Sequence, residues 1–155
     1  MTPSANLQRL GITLPPAPKP VAAYIPAVRS GNLVFISGQI PLAEGKLIAT
    51  GRVGAEVSLE TAIACARQCC LNGLAAAAAE LGSGGVDAIE RVVRIGVFVA
   101  AGPEFPDHPK VANGASELLV EIFGEAGRHA RAAVGCPSLP LGAPVEVEFL
   151  FQAWQ

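Results

Sequence analysis

The stretch Ser58-Leu59-Glu60-Thr61-Ala62-Ile63-Ala64-Cys65-Ala66-Arg67-Gln68-Cys69-Cys70-Leu71-Asn72-Gly73-Leu74, continued by the alanine run 75–79 and closed by Glu80-Leu81-Gly82, decides the fold. Leu59, Ile63, Ala66, Cys70, Leu74, Ala77 and Leu81 recur at helical spacing, with Glu60, Arg67, Gln68 and Asn72 on the other side. Ser58 is a suitable N-cap, Glu60 sits where the helix dipole favours negative charge, and Gly82 supplies a stop. The small side chains of the alanine run let such a helix approach another layer closely. The stretch predicts a helix laid on a sheet.

Working outward, Ser83-Gly84-Gly85 reads as a flexible turn, and Arg91–Val99 as a long, partly alternating strand. Residues 101–109, rich in Gly and Pro, form a loop. A second amphipathic helix is expected over His108–Phe123, with Val111, Ala115, Leu118, Leu119 and Ile122 inward and Gly124 and Gly127 ending it. Ala130–Val134 and Val145–Gln152 are the last two strands. Upstream, Val21–Val28 leads into a first strand, and a turn at Ser30-Gly31-Asn32 precedes a strand running to Gly38. Pro41 ends that strand, and Gly45-Lys46 turns into a short one at Leu47–Ala49. Residues 1–20, with prolines at 15, 16, 18 and 20, are expected to be an extended N-terminal segment before one domain over 21–155. The fold class is α+β: a mixed or antiparallel sheet with two helices on one face.

A length of 155 residues suits one core, but 51% apolar against 15% charged is greasy for a small domain. Gly and Pro break the apolar residues, so no membrane-spanning run is expected, and burial between subunits is the natural home for the surplus. Net charge is −2, with eleven basic residues scattered along the chain, which argues against strong nucleic-acid binding. Met1–Pro20 lacks the pattern of a secretory signal. Cys65, Cys69, Cys70 and Cys136 are expected to be reduced thiols in a cytoplasmic protein.

Cys65 and Cys69 share a helix face, but neither a CxxC nor an HxxxH pattern occurs, so these are small core residues and no metal site is expected. His108, beside Pro109 at a helix start, is assigned to the surface; for His129, two residues before Arg131, a place on a pocket rim is the minority alternative to a role outside any site. Cys136, between Gly135 and Pro137, has no activating neighbour in sequence. Arg131 carries a planar fork suited to a carboxylate. Glu146 and Glu148 alternate on the last strand and point to the same face. By spacing alone, an arginine and two glutamates are more readily a solvated sheet face than a site.

The segment Phe35-Ile36-Ser37-Gly38-Gln39-Ile40-Pro41-Leu42, with Tyr24, Val97-Phe98-Val99, Phe105, Asn113, Arg131, Leu139-Pro140 and Glu146-Val147-Glu148, resembles the YjgF/Rid family of reactive-intermediate (enamine/imine) deaminases, also called L-PSP endoribonuclease-like. The resemblance spans roughly residues 20–153. It implies a chorismate-mutase-like fold, a homotrimer, and sites in clefts between subunits. It further implies that Arg131 binds a substrate carboxylate, that Glu146 handles the reactive water, that Tyr24 lines the cleft, and that Ser37, Gly38 and Asn113 complete the pocket. Active members commonly carry a cysteine where this chain has Ala133. The implied reaction is hydrolysis of a 2-imino acid to a 2-keto acid and ammonia, with no cofactor or metal. A trimer that binds a small carboxylate without turnover and an endoribonuclease are the alternatives.

Overall fold

The computed structural model describes residues 1–20 and 23–155. In chain order its elements are α1 (Pro3–Arg9), β1 (Ala27–Ser30), β2 (Leu33–Gln39), β3 (Leu42–Ala43), β4 (Lys46–Leu47), α2 (Leu59–Leu81), β5 (Ile89–Ala100), α3 (His108–Phe123), β6 (Ala130–Cys136) and β7 (Val145–Ala153). Five strands form one sheet in the order β1-β2-β7-β5-β6, antiparallel except for β5 with β6. The short pair β3–β4 stands apart. Both long helices cover one face, as the α+β reading expects.

Local chemistry sets the helix limits. The Ser58 hydroxyl accepts from the Thr61 amide at 3.1 Å, and Gly82 ends α2 with φ of 67°, a conformation glycine adopts without strain. Leu74, Ala77, Cys65, Cys69 and Cys70 of α2 lie fully buried against Phe149 and Phe151 of β7 and the inner face of α3. Two glycines permit the close fit. A Cβ on Gly73 would stand 2.6 Å from the Phe149 ring, and one on Gly114 of α3 would stand 2.2 Å from the Ile63 carbonyl oxygen of α2. The two helices therefore meet backbone to backbone. By length and composition α2 with the following turn could cross a bilayer, yet its alanine side is core, packed on the sheet.

Three expectations need correction. The N-terminal segment is not wholly extended: Pro3–Arg9 is helical because Thr2 caps it and Pro3 suits a first turn, where its missing N–H costs nothing. This α1 is docked, with Leu7 buried, Asn6 Nδ2 donating to the Ile122 carbonyl at the end of α3 (2.8 Å), and Ser4 donating to Asp87 through both its amide (2.8 Å) and hydroxyl (2.6 Å). The other end of the chain arrives at the same place, the Trp154 amide donating to Ala88 O at 3.0 Å. The turn after α2 is a kinked 3-10 segment over Gly82–Ala88. Asn72, assigned to the polar side of α2, is buried, with its Nδ2 donating to the carbonyls of Ile40 (3.1 Å) and Leu42 (3.0 Å). Among the first-strand residues expected at Val21–Val28, Val21 and Ala22 lie outside the described residues, and the strand begins at Ala27.

Candidate functional site

Arg131 lies on β6, the unpaired edge of the sheet, in register with the buried Ile95 of β5. Its side chain therefore leaves the sheet on the helix side and meets α3. There its Nη1 donates to Asn113 Oδ1 at 2.8 Å and to Ser116 Oγ at 3.1 Å. Asn113 and Ser116 are three residues apart on a helix, hence on one face. Ser116 Oγ also lies 2.9 Å from His129 Nε2, and His129 Nδ1 lies 2.6 Å from the Gly127 carbonyl. Burial pulls the His129 imidazole below its ordinary range; the Gly127 bond works against this and the Arg131 charge adds to it. Arg131, His129, Ser116, Val120 and Arg128 line an open cavity of about 370 Å³.

Glu146 is placed elsewhere. On β7 the residues Val145, Val147, Phe149 and Phe151 face the helices, so Glu146, Glu148 and Leu150 face the open side of the sheet. Glu148 pairs with Arg94 at 3.3 Å, whereas Glu146 has no ion-pair partner among the described residues. Partial burial, with the Glu148 charge beside it, raises the Glu146 carboxyl above the usual range. Its carboxyl group lies over Gly38: a Cβ there would stand 2.8 Å from Glu146 Cδ and Oε1. A β-bulge makes this seat. Between the pairs Ile36↔Phe149 and Gln39↔Val147, β2 carries one more residue than β7, and the extra length falls at Ser37-Gly38. The Ser37 hydroxyl donates to Ile25 O at 2.7 Å and fixes the segment carrying Tyr24, whose side chain is largely exposed.

The residues singled out from sequence thus fall into two groups on opposite faces of one chain. Arg131 and Asn113 are joined by a hydrogen bond, while Ser37, Gly38 and Glu146 gather at the bulge with Tyr24 nearby in the chain. Ala133, in register with Val97, packs on the core two residues beyond the arginine. Ser116 was not among the expected residues, although its i+3 spacing from Asn113 is legible. His129 lines a pocket rim, the less favoured of its two readings from sequence, and its alternation with Arg131 is the signal. His108 departs from its surface assignment: its ring meets Phe105 edge-on at 5.3 Å and lies against Gly135, beside a cavity of about 410 Å³ that also touches Cys136 and Arg52. The Cys136 thiol is pushed up by burial and by Glu146, and Cys65 is raised to about 11 by burial, so neither is an activated nucleophile. All four cysteines are unpaired.

Comparison with known proteins agrees with this architecture. A family model described as YjgF/chorismate-mutase-like, putative endoribonuclease, matches residues 4–153. The chain is 45% identical over 150 residues to protein TCP17 of Trypanosoma cruzi, covering 96% of this chain and 92% of that one. It is 31% identical over 138 residues to the 2-iminobutanoate/2-iminopropanoate deaminase of Dermatophagoides farinae, covering 88% and 91%. A crystal structure of a protein of unknown function from Agrobacterium tumefaciens superposes with a TM-score of 0.90 at 43% identity, covering 98% of this chain and 92% of the other. The chain belongs to the YjgF/Rid family and has its chorismate-mutase-like fold.

Proposed function

We propose that this protein hydrolyses reactive 2-imino or enamine acids to 2-keto acids and ammonia, in clefts between the subunits of a cytoplasmic homotrimer. One observation carries the reading. Both Nη1 hydrogens of Arg131 are occupied by Asn113 and Ser116, so the opposite Nε/Nη2 edge, with no partner among the described residues, is left for a bidentate carboxylate. Arg131 and Glu146 face opposite sides of one sheet, so a site that uses both draws them from different copies. The surface supports such contact: β6 is an unprotected edge strand, and Phe35, Val28 and Val134 are about half exposed on and around the open sheet face.

The chemistry follows from the parts. Arg131 anchors the substrate carboxylate and so fixes the adjacent imine carbon. With the imine nitrogen protonated, Glu146, seated on Gly38, takes a proton from a water as the water oxygen bonds to that carbon, giving a neutral carbinolamine. The same carboxyl, its proton affinity raised by burial, passes that proton to the amino nitrogen and takes up the hydroxyl proton as the C–N bond breaks, so that keto acid and ammonia leave and the proton goes on to solvent. Holding three components in place suffices for a reaction that water already performs. No step calls for a cofactor or metal. Assay with imino acids generated in situ by an amino-acid oxidase is expected to show keto-acid formation that collapses in Arg131→Ala. Equal rates with wild type and Arg131→Ala protein would overturn the proposal.

A second reading, a trimer that binds a small carboxylate without turnover, is favoured by Ala133, which stands where active relatives commonly have cysteine and offers no thiol beside Arg131. Keto-acid binding at Arg131 with no imine hydrolysis would select it. Endoribonuclease activity, named in the family description, has less support from the scattered charges; cleavage retained in Arg131→Ala and Glu146→Ala proteins would locate it elsewhere.

A further inference from the structure

We propose that Ser116 and His129 are positioning residues for the carboxylate site, forming with Arg131 a one-way hydrogen-bond chain that holds the guanidinium with its Nε/Nη2 edge outward. The inference rests on the reading of Arg131 as a carboxylate clamp and extends it to two residues that do not touch the substrate.

The direction of each bond is forced. The Gly127 carbonyl accepts only, so the His129 Nδ1 at 2.6 Å carries the proton. In the neutral ring Nε2 is then a bare lone pair, and the Ser116 hydroxyl at 2.9 Å must donate to it. That turns a lone pair of Ser116 Oγ toward Arg131, whose Nη1 can only donate and does so at 3.1 Å. Asn113 Oδ1 takes the other Nη1 hydrogen at 2.8 Å. Two acceptors from one face of α3 thus fix the plane of the guanidinium as well as its position. A single acceptor would leave it free to swing.

Protonating the ring reverses the arrangement. An imidazolium Nε2–H would donate to Ser116, turn its hydroxyl hydrogen away, and set a second cation beside Arg131. Arg131, which faces the ring across Ser116, resists this, while Arg128 on the same cavity rim is compensated by Glu125 at 3.2 Å. Burial, which lowers the proton affinity of His129, acts in the same sense. Glycine at position 127 belongs to the device. A Cβ there would stand 2.3 Å from the Leu119 carbonyl oxygen, so the carbonyl that sets the tautomer is carried by backbone packed directly on α3.

The test uses pyruvate as probe, titrated calorimetrically into the full-length protein and its variants. Ser116→Ala and His129→Ala are expected to weaken pyruvate binding by about 5- to 10-fold, the range for one lost hydrogen bond to a charged group's support. Ser116→Thr, which keeps the hydroxyl, and His129→Gln, which keeps an acceptor for it, are expected to stay within about twofold of wild type. Nitrogen-15 NMR of the wild type is expected to show the Nδ1–H tautomer of His129 and slowed rotation of the Arg131 guanidinium that is lost in Ser116→Ala. Wild-type affinity in both alanine variants, or an Nε2–H tautomer, overturns the inference. If Arg131→Ala binds pyruvate as well as wild type, the carboxylate reading fails instead. The NMR result then decides alone whether the chain orders Arg131.

Discussion

Substituting alanine at Gly38 separates catalysis from stability at the seat of Glu146. The new methyl carbon would stand 2.8 Å from the Glu146 carboxyl carbon and one of its oxygens. An ordinary contact needs 3.4 Å or more, so the carboxyl must withdraw by at least about 0.6 Å. The obstacle is the end of a flexible side chain, and Gly38 does not need a positive φ, so the backbone accepts the change. Forcing Glu146 off its rotamer costs about 0.5–1.5 kcal/mol. Losing unfolded-state freedom at position 38 offsets about 0.4–1 kcal/mol of that. Stability is therefore expected within about 1 kcal/mol of wild type. Catalysis is less forgiving, because misplacing a reacting group by about 1 Å costs on the order of 100-fold. We expect kcat/KM for imine hydrolysis to fall roughly 10- to 100-fold, with the thermal midpoint within about 4 °C of wild type. In a Glu146→Ala background, the Gly38→Ala change should cost little further. Turnover within about threefold of wild type would refute the seat as the working position of Glu146.

Gly114→Ala should behave in the opposite way. Its methyl would strike the Ile63 backbone oxygen at 2.2 Å, which cannot rotate aside, so α2 and α3 must separate and stability should fall by about 1–3 kcal/mol or more, read from denaturant midpoints. The acid limb of stability should carry the signature of His129. Its folded proton affinity is lowered, so the unfolded chain binds more protons, and stability falls as pH drops through the ordinary histidine range toward the lower folded value. Unfolding at stepped pH should show that slope in the wild type and a shallower one in His129→Gln; equal slopes would contradict the burial of the ring.

The helices were legible because their signals are local. Apolar spacing, a serine cap and a glycine stop all fall within α2, and the inward residues of α3 are buried as expected. What escaped was set by distant contacts. The bulge at Ser37-Gly38 depends on how β2 registers on β7, which no local pattern encodes, and it is what brings Gly38 beneath Glu146. Pro3–Arg9 was hidden by the prolines that follow it, and it is held by Asp87 and the Ile122 carbonyl, far along the chain. Arg131 and Glu146 stood out by residue type, but their opposite faces follow only from the parallel pairing of β5 with β6 beside the antiparallel pairing of β5 with β7. Ser116 carried no motif; its meaning comes from helical neighbourhood with Asn113.

The meeting of both chain ends at Asp87 and Ala88 has a spectroscopic consequence. The protein's single indole, Trp154, sits at that junction and is more than half exposed, next to the residue that anchors α1. Its emission therefore reports the fastening of the termini, while circular dichroism reports α2 and α3. A melting curve followed by fluorescence and one followed by ellipticity watch different parts of this molecule, and any gap between them measures how far the ends let go before the core does.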